Sequence, residues 1–290
     1  MPHGWKCSGL RWSPEGPVLV WDGGRRSGLS WGKRVAFGVP EGGVRGCAGA
    51  RGNACPVRAV VAGRSTGGRC EECARLDRAH SVAADTLADD PRPYRVYLAW
   101  FGPGMVKVGI TAVERGSARL LEQGAVCFSW LGAGPLMAAR RTEELLRAAL
   151  RVPDRIPYAE KRAVRAALPR TAAERAAEVR ELHARAVALR TWPESLRPAE
   201  CRIVDHVTAF GLDRAPAACG DVVELVPGGA VSGELVAAAG PDLHLAVGGR
   251  GVVVLDTRLM AGWELAPREP GGSGLTFPVR EFRGEQGGLF

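Results

Sequence analysis

Four cysteines in the first third of the chain have the spacing of a metal site. Their pattern is Cys47-x7-Cys55-x14-Cys70-x2-Cys73. A two-residue spacer in a tight turn lets two thiolates face one ion, and two such ends complete a tetrahedral site. We therefore predict Zn²⁺ bound by these four cysteines. Because four protein ligands leave no open position, the zinc is assigned to folding and not to catalysis.

Two other interpretations of these cysteines stay open. Cys70 and Cys73 could form a redox pair, or the four cysteines could be unconnected, and His80 could replace one ligand. A redox pair normally lies at the strand–helix junction of a thioredoxin-like unit, which this sequence does not indicate.

A second set of candidates lies in the middle of the chain. They are Tyr97, Lys107, Arg115, Arg119 and Glu143, and their side chains are of types that can bind phosphate, a proton or a metal ion. A tyrosine hydroxyl can relay a proton, an arginine can pair bidentately with phosphate, and a glutamate can hold a hard divalent ion. We therefore consider these five side chains together as a candidate catalytic site.

The helical position of Glu143 supports a role for its carboxylate. On a helix it shares a face with Leu146 and Leu150. A carboxylate on an apolar stripe needs a partner or a metal. Mg²⁺ or Mn²⁺ is one candidate, and a structural salt bridge with Arg115 or Arg119 is the other.

Several predicted elements would position these residues. Strand-forming residues at 94–110 surround a Gly/Pro turn and predict a hairpin. A helix is expected at 111–123 with a capping box, then a strand at 125–131 and a helix at 135–151. The order is therefore hairpin, helix, strand, helix.

This ordered set resembles the GIY-YIG nuclease superfamily over about 60 residues. Val96-Tyr97 matches the second half of its first motif, and Lys107-Val-Gly109 matches its second motif. Arg119 matches the helix arginine, and Glu143 best matches the metal-binding glutamate. The resemblance implies a small mixed α/β domain and divalent-metal-dependent phosphodiester cleavage.

The sequence departs from that pattern at two positions. Arg95 stands where the family has glycine, and Lys107 stands where it usually has the tyrosine proposed as general base or its relay. An unperturbed lysine is a good phosphate contact but a poor base at neutral pH. The sequence therefore leaves open whether the chain is an enzyme.

The whole chain also resembles an uncharacterised bacterial family of unknown function. The shared features are a cysteine-bearing front, the runs 106–111 and 119–125, and a β-rich end. This resemblance supports the architecture and implies no activity.

The chain is expected to be an α+β protein with four segments. We predict a zinc-stapled β-rich segment at 1–90 and a GIY-YIG-like α/β domain at 91–151. A helical connector follows at 152–202, and a small β-barrel or sandwich with a loose Gly-rich tail occupies 203–290. Apolar residues make up 46% of the chain and charged residues 24%, which excludes a disordered or fibrous protein.

The net charge of +8 is unevenly distributed. Residues 203–290 carry 6 basic and 11 acidic side chains, or −5, so residues 1–202 carry +13. This asymmetry favours a polyanion partner for the front and a protein partner for the acidic end. No targeting or membrane-spanning stretch is seen, so we expect a cytoplasmic protein with reduced cysteines and no membrane partner.

These observations predict a nucleic-acid-associated protein, DNA or RNA, with a nuclease-like centre. The alternative is a non-catalytic, zinc-containing factor that binds nucleic acid or another protein.

Overall fold

The structure is a computed structural model that describes residues 4–13, 15–79, 90–268 and 274–282. The chain is a mixed α+β protein, rich in sheet and with few helices. Its contacts divide it into two units. Unit 1 comprises Met1–Ser81 with Arg214–Phe290, and unit 2 comprises Val82–Asp213. Within the described residues, no helix is long and apolar enough to cross a membrane.

The described residues form fifteen strands and six helices. The strands are β1 (Trp5–Ser13), β2 (Gly16–Trp21), β3 (Arg26–Gly28), β4 (Arg34–Gly38), β5 (Pro93–Trp100), β6 (Val106–Ala112), β7 (Cys127–Pro135), β8 (Arg197–Pro198), β9 (Val204–Asp205), β10 (Ala218–Val222), β11 (Ala230–Ala239), β12 (Asp242–Val247), β13 (Gly251–Asp256), β14 (Glu264–Pro267) and β15 (Val279–Glu281). The helices are α1 (Glu71–Ala79), α2 (Ala118–Gln123), α3 (Leu136–Leu150), α4 (Tyr158–Val164), α5 (Ala172–Val187) and α6 (Val207–Phe210).

Unit 1 is built on a ten-stranded sheet. Its strand order is β15-β10-β13-β12-β11-β4-β14-β1-β2-β3. Strand β4 lies between β11 and β14, with Val35 opposite Gly233 and Phe37 opposite Val231. The two segments that the sequence assigned to separate domains, 1–90 and 203–290, therefore contribute strands to one sheet. The predicted Gly-rich tail falls largely outside the described residues.

A buried arginine joins the cysteine-bearing segment to the rest of unit 1. Arg45 is 1% exposed, and its guanidinium donates only to backbone carbonyls. The acceptors include Ala62 and Ser65 near the cysteines, and Arg258 and Ala261 before β14. An arginine that satisfies several carbonyls at once fixes the path of a segment with little regular structure of its own.

Unit 2 contains a smaller antiparallel sheet. Its order is β6-β5-β7-β8, and β9 also pairs with β7. Alternate residues of β5 point to opposite faces. Val96 and Leu98 pack in one core with α3 and α5, whereas Tyr97 and Ala99 pack in a second core with Leu120 of α2. The sheet thus has helices on both faces, and β6 is its edge strand.

Candidate functional site

The four predicted metal ligands converge in unit 1. The ligand atoms of Cys47, Cys55, Cys70 and Cys73 lie within 4.8 Å of one another, and the Cys55 and Cys70 sulfurs are 3.9 Å apart. Four thiolates placed about 2.3 Å from a zinc ion would be about 3.8 Å from each other. The cluster could therefore hold a metal and is compatible with structural zinc. His80 lies outside the described residues.

Backbone N–H groups near the cysteines donate hydrogen bonds to a cysteine sulfur. The N–H groups of Gly49 and Cys70 donate to Cys47 Sγ at 3.4 and 3.2 Å. Gly49 has a φ of 74°, and a Cβ there would overlap the Asn53 carbonyl oxygen, so only glycine fits. Burial raises the pKa of Cys73 to about 12. Metal binding would therefore have to displace a proton from that thiol.

The tyrosine of the central set is part of the core of unit 2. Tyr97 is 1% exposed and lies opposite Gly109 on the neighbouring strand. A Cβ at Gly109 would overlap the Tyr97 hydroxyl, so the glycine provides the space that the ring occupies. Gln123 Nε2 donates to the hydroxyl at 2.8 Å. Burial raises the pKa of Tyr97, which keeps the hydroxyl protonated at neutral pH.

Lys107 lies on the same face of the sheet as Tyr97. It is 9% exposed, and its Nζ donates to the Asp154 carbonyl oxygen at 3.0 Å. The Nζ is 5.9 Å from the centre of the Tyr97 ring. Burial, together with the positive charge of Arg119, lowers the pKa of Lys107 to about 8. The ammonium group can therefore lose its proton near neutral pH, unlike an exposed lysine.

The two arginines of the central set have different environments. Arg119 lines a cleft beside Lys107, and its charge lowers the pKa values of Lys107 and Tyr97. Arg119 Nη1 also lies 4.0 Å from Glu122 Oε2. Arg115 donates to the same oxygen at 2.6 Å, but it does not line the cleft. The structure therefore brings Arg119, but not Arg115, to the same place as Lys107.

Glu143 is on α3, which packs on the other face of the sheet from Tyr97. Burial raises the pKa of this half-buried carboxyl group. Its helix, α3, contacts the edge strand β6, and its negative charge raises the pKa values of Lys107 and Tyr97. Within the described residues, no hydrogen bond or ion pair to the carboxylate is present, so the salt bridge with Arg115 or Arg119 is not formed.

The surroundings of Glu143 suit a divalent ion only in part. Among the described residues, the cysteine cluster is the one group of three or more side chains that could ligate a metal. Mg²⁺ commonly keeps several waters and uses one or two carboxylates with substrate phosphates. Glu143 would therefore hold Mg²⁺ or Mn²⁺ with help from water and substrate, and not within a set of protein ligands.

The cleft beside Lys107 is strongly basic. Its volume is about 310 Å³. The residues that line it are Lys107, Arg119, Gln123, Arg155, Ile156, Pro157, Tyr158 and Lys161. Four of these eight side chains are cationic and none is acidic. Tyr97 lies beneath this lining and does not contribute to it, so two of the predicted residues reach the cleft directly.

Sequence reasoning missed four polar residues of this cleft, namely Gln123, Arg155, Tyr158 and Lys161. Gln123 both lines the cleft and holds Tyr97, whereas Arg155 and Lys161 follow α3. The Lys161 Nζ donates to the Gln123 carbonyl oxygen at 3.1 Å and lies 3.8 Å from the centre of the Phe101 ring. A lysine that is 3% exposed gives no signal in sequence, because its burial depends on tertiary packing.

A larger cleft, of about 480 Å³, lies elsewhere in unit 2. It includes Asp90, Arg92 and Arg197. Asp90 already accepts hydrogen bonds from Arg92 and Tyr94, so its carboxylate is internally satisfied. We therefore assign the candidate function to the smaller, basic cleft.

Comparison with protein families decides the membership of the chain. Residues 43–265, more than half of the chain, match the model of the family described as protein of unknown function (DUF2797). The chain belongs to the DUF2797 family. No curated protein and no solved structure matches it significantly. The DUF2797 match spans both the cysteine cluster and the basic cleft. It confirms the expected membership of a family of unknown function, and it gives no relationship to GIY-YIG nucleases.

Proposed function

We propose that this protein binds nucleic acid by holding a phosphate group in the basic cleft of unit 2. The observation that carries the proposal is the lining of the cleft, which has four cations and no carboxylate in about 310 Å³. Phosphate contacts supply most of the affinity of nucleic-acid-binding proteins, and arginine offers a fork that matches phosphate oxygens. The positive charge of residues 1–202 supports the same class of partner.

The residues of the cleft would contribute to phosphate binding in different ways. Arg119 is 44% exposed and can turn its guanidinium toward an incoming phosphate. Lys107 and Lys161 are held by backbone carbonyls, so their charges are fixed in place before a ligand enters. Tyr97 acts beneath them by holding Gln123.

A metal-dependent nuclease is the second candidate, and Glu143 is the observation in its favour. The carboxylate is half-buried and unpaired within the described residues, and its charge acts on Lys107 and Tyr97. A divalent ion held there would neutralise charge on a phosphoryl oxygen. The absence of Glu143 and Tyr97 from the cleft lining favours binding over cleavage.

A protein partner at the acidic end is less well supported. Three of its carboxylates are used inside unit 1. Asp221 pairs with Arg280 at 2.7 Å, Asp256 pairs with Arg258 at 2.6 Å, and Asp242 is fully buried. These charges are therefore not presented on the surface.

The test of nucleic-acid binding is a salt titration of fluorescence anisotropy with labelled 20-mer DNA and RNA. We expect Arg119→Ala to weaken binding about fivefold to tenfold and to reduce the salt dependence by the contribution of about one phosphate contact. Arg185→Ala is the matched control, since Arg185 is exposed in unit 2, pairs with Glu181 at 3.7 Å and does not line the cleft. Equal affinities for wild type and Arg119→Ala would contradict the proposal.

Cleavage is tested by incubating labelled DNA and RNA with the protein and Mg²⁺ or Mn²⁺, comparing Glu143→Gln with the exposed neighbour Glu144→Gln.

The affinity for nucleic acid should also depend on pH. Because the pKa of Lys107 is lowered to about 8, its positive charge disappears as the pH rises through 8. We expect affinity to fall between pH 7 and 9 in the wild type, and to change much less in Lys107→Met. The free energy of unfolding should change in the opposite direction. Between pH 8 and about 10.4 the lysine is protonated in the unfolded chain but not in the folded one, so the folded state becomes more stable as the pH rises. A pH-independent affinity in the wild type would contradict this prediction.

A further inference from the structure

The segment that carries the cysteines has an unusual charge composition. Residues 42–70 contain no acidic side chain and five arginines, namely Arg45, Arg51, Arg58, Arg64 and Arg69. Two of these have internal roles. Arg45 is buried among carbonyls, and Arg69 donates to the Gly49 carbonyl oxygen and pairs with Asp77 at 3.6 Å. The other three remain to be explained.

Arg51, Arg58 and Arg64 are exposed. Within the described part of the chain, none of their side chains forms a hydrogen bond or an ion pair. Unpaired arginines that share a segment without carboxylates create a positive potential, which attracts polyanions. These three residues therefore place positive charge along one short segment of the surface, although the Glu224 carboxylate lies beside Gly63, the neighbour of Arg64.

The backbone at two of these arginines is strained. Arg51 has a φ of 52° and Arg58 a φ of 47°, in the left-handed region that favours glycine. In the second case the turn Cys55–Arg58 is closed by a hydrogen bond from Arg58 N to the Cys55 carbonyl oxygen, at 3.1 Å. Glycine would satisfy both turns at lower cost, so neither turn requires an arginine. Strain of this kind is concentrated at functional positions.

Exposed valines lie beside these arginines. Val57, Val60 and Val44 are 73%, 71% and 64% exposed, the highest values among the exposed large apolar residues that the structure describes. Val57 directly precedes Arg58, and Val60 follows two residues later. The run 57–60 therefore presents apolar and cationic side chains together.

The short ladder that carries Val60 explains why it points outward. Gly46 and Val60 form a bridge, and the adjacent positions Cys47 and Val61 are buried. Since side chains alternate across a ladder, Val60 lies on the side away from the cysteines. Val60 therefore leaves an apolar side chain open to contact with a partner.

We propose that Arg51, Arg58, Arg64, Val57 and Val60 form a surface that binds single-stranded nucleic acid. The arginines would contact successive phosphates, and the valines would pack against an unpaired base. A duplex does not offer this combination, because the faces of its bases are stacked on one another, whereas single strands expose them. This arginine–valine surface belongs to unit 1 and is independent of the basic cleft of unit 2.

The decisive variant is Arg51→Gly/Arg58→Gly in the full, zinc-loaded chain. Glycine removes two charges and relieves the left-handed backbone, so the melting temperature should stay equal or rise. Affinity for a labelled 15-mer of oligo(dT) or oligo(U) should fall about tenfold at 0.1 M NaCl. The slope of log affinity against log salt should decrease by about 1.4, or about 0.7 for each phosphate contact on a single strand. Unchanged affinity and slope would overturn the proposal.

A second variant, Val57→Ser/Val60→Ser, tests the apolar part. We expect it to weaken single-strand binding about threefold to fivefold with an unchanged salt slope, and to leave binding of a duplex of the same length unaffected. Equal losses for single strand and duplex would overturn the assignment to single strands. The matched control is Arg75→Ala, because Arg75 is exposed but already pairs with Glu72. The separate variant Arg119→Ala shows whether the basic cleft of unit 2 binds nucleic acid, whatever the outcome for the arginine–valine surface.

Discussion

Replacement of Cys73 by serine is expected to abolish stoichiometric metal binding and to destabilise unit 1 severely. The four sulfurs lie within 4.8 Å of one another in a segment that has little other regular structure. Because binding of a structural metal is coupled to folding, its loss should lower the free energy of unfolding by about 3 kcal/mol or more. The measurements are metal content by mass spectrometry and thermal unfolding with and without a strong chelator.

The control for this experiment is Cys201→Ser. Cys201 is half-buried in unit 2 and is not part of the cluster. We expect this variant to retain its metal and to show the same response to chelator as the wild type. A melting temperature of the wild type that does not change on chelation would show that the four cysteines do not form a structural metal site.

Replacement of Gly109 by alanine should be strongly destabilising for unit 2. The added Cβ would overlap the Tyr97 hydroxyl and would lie 2.8 Å from the ring carbon Cε2. The tyrosine is buried and bonded to Gln123, so it cannot move aside without disturbing its core. Overpacking of this kind costs about 2–3 kcal/mol. Chemical denaturation should show the loss, and nucleic-acid affinity should fall as Gln123 is displaced.

A double-mutant cycle tests the cause of this loss. In a Tyr97→Leu background the shorter side chain leaves room for the new methyl group, so Gly109→Ala should cost much less there. Gly248→Ala is the matched control, because a Cβ at that position meets no atom within 4 Å. Equal costs of Gly109→Ala in both backgrounds would refute the steric explanation.

Short sequence patterns predicted elements that are determined by neighbouring residues, such as a β-hairpin. Strands β5 and β6 form the expected hairpin, and Thr171 and Glu174 form a capping box at the start of α5. The capping box expected at Thr111 is not formed. Thr111 is instead a buried residue of strand β6, which continues to Ala112, and Glu114 pairs with Arg92. Because β5 still offers a partner for Thr111 and Ala112, these residues pair with β5 and do not begin a helix.

The candidate site was predictable only where sequence spacing determines geometry. The close spacing of Cys70 and Cys73 revealed the cluster, because a tight turn nearly fixes the distance between those two sulfurs. The basic cleft was only partly predictable. Lys107 and Arg119 were identified, but Lys161 and Arg155 come from a segment that reaches the cleft through packing of the chain after α3. Likewise, the shared sheet of unit 1 required pairing between β4 and β11, for which sequence gives no local signal.

The interrupted path of unit 1 has a consequence for protein synthesis. Strand β4 ends at Gly38, but its partner β11 begins at Ala230, so the ribosome makes all of unit 2 before the two strands can pair. Unit 2 is continuous in the chain and can complete its own contacts as it emerges. Until translation reaches β11, the newly made β4 has unpaired backbone groups and is exposed to association with other nascent chains. The cysteines are translated in this same interval, after β1, β2 and β3, whose pairing is local in the chain. Binding of a metal by the four cysteines would therefore order the segment between β4 and α1 before β11 is made.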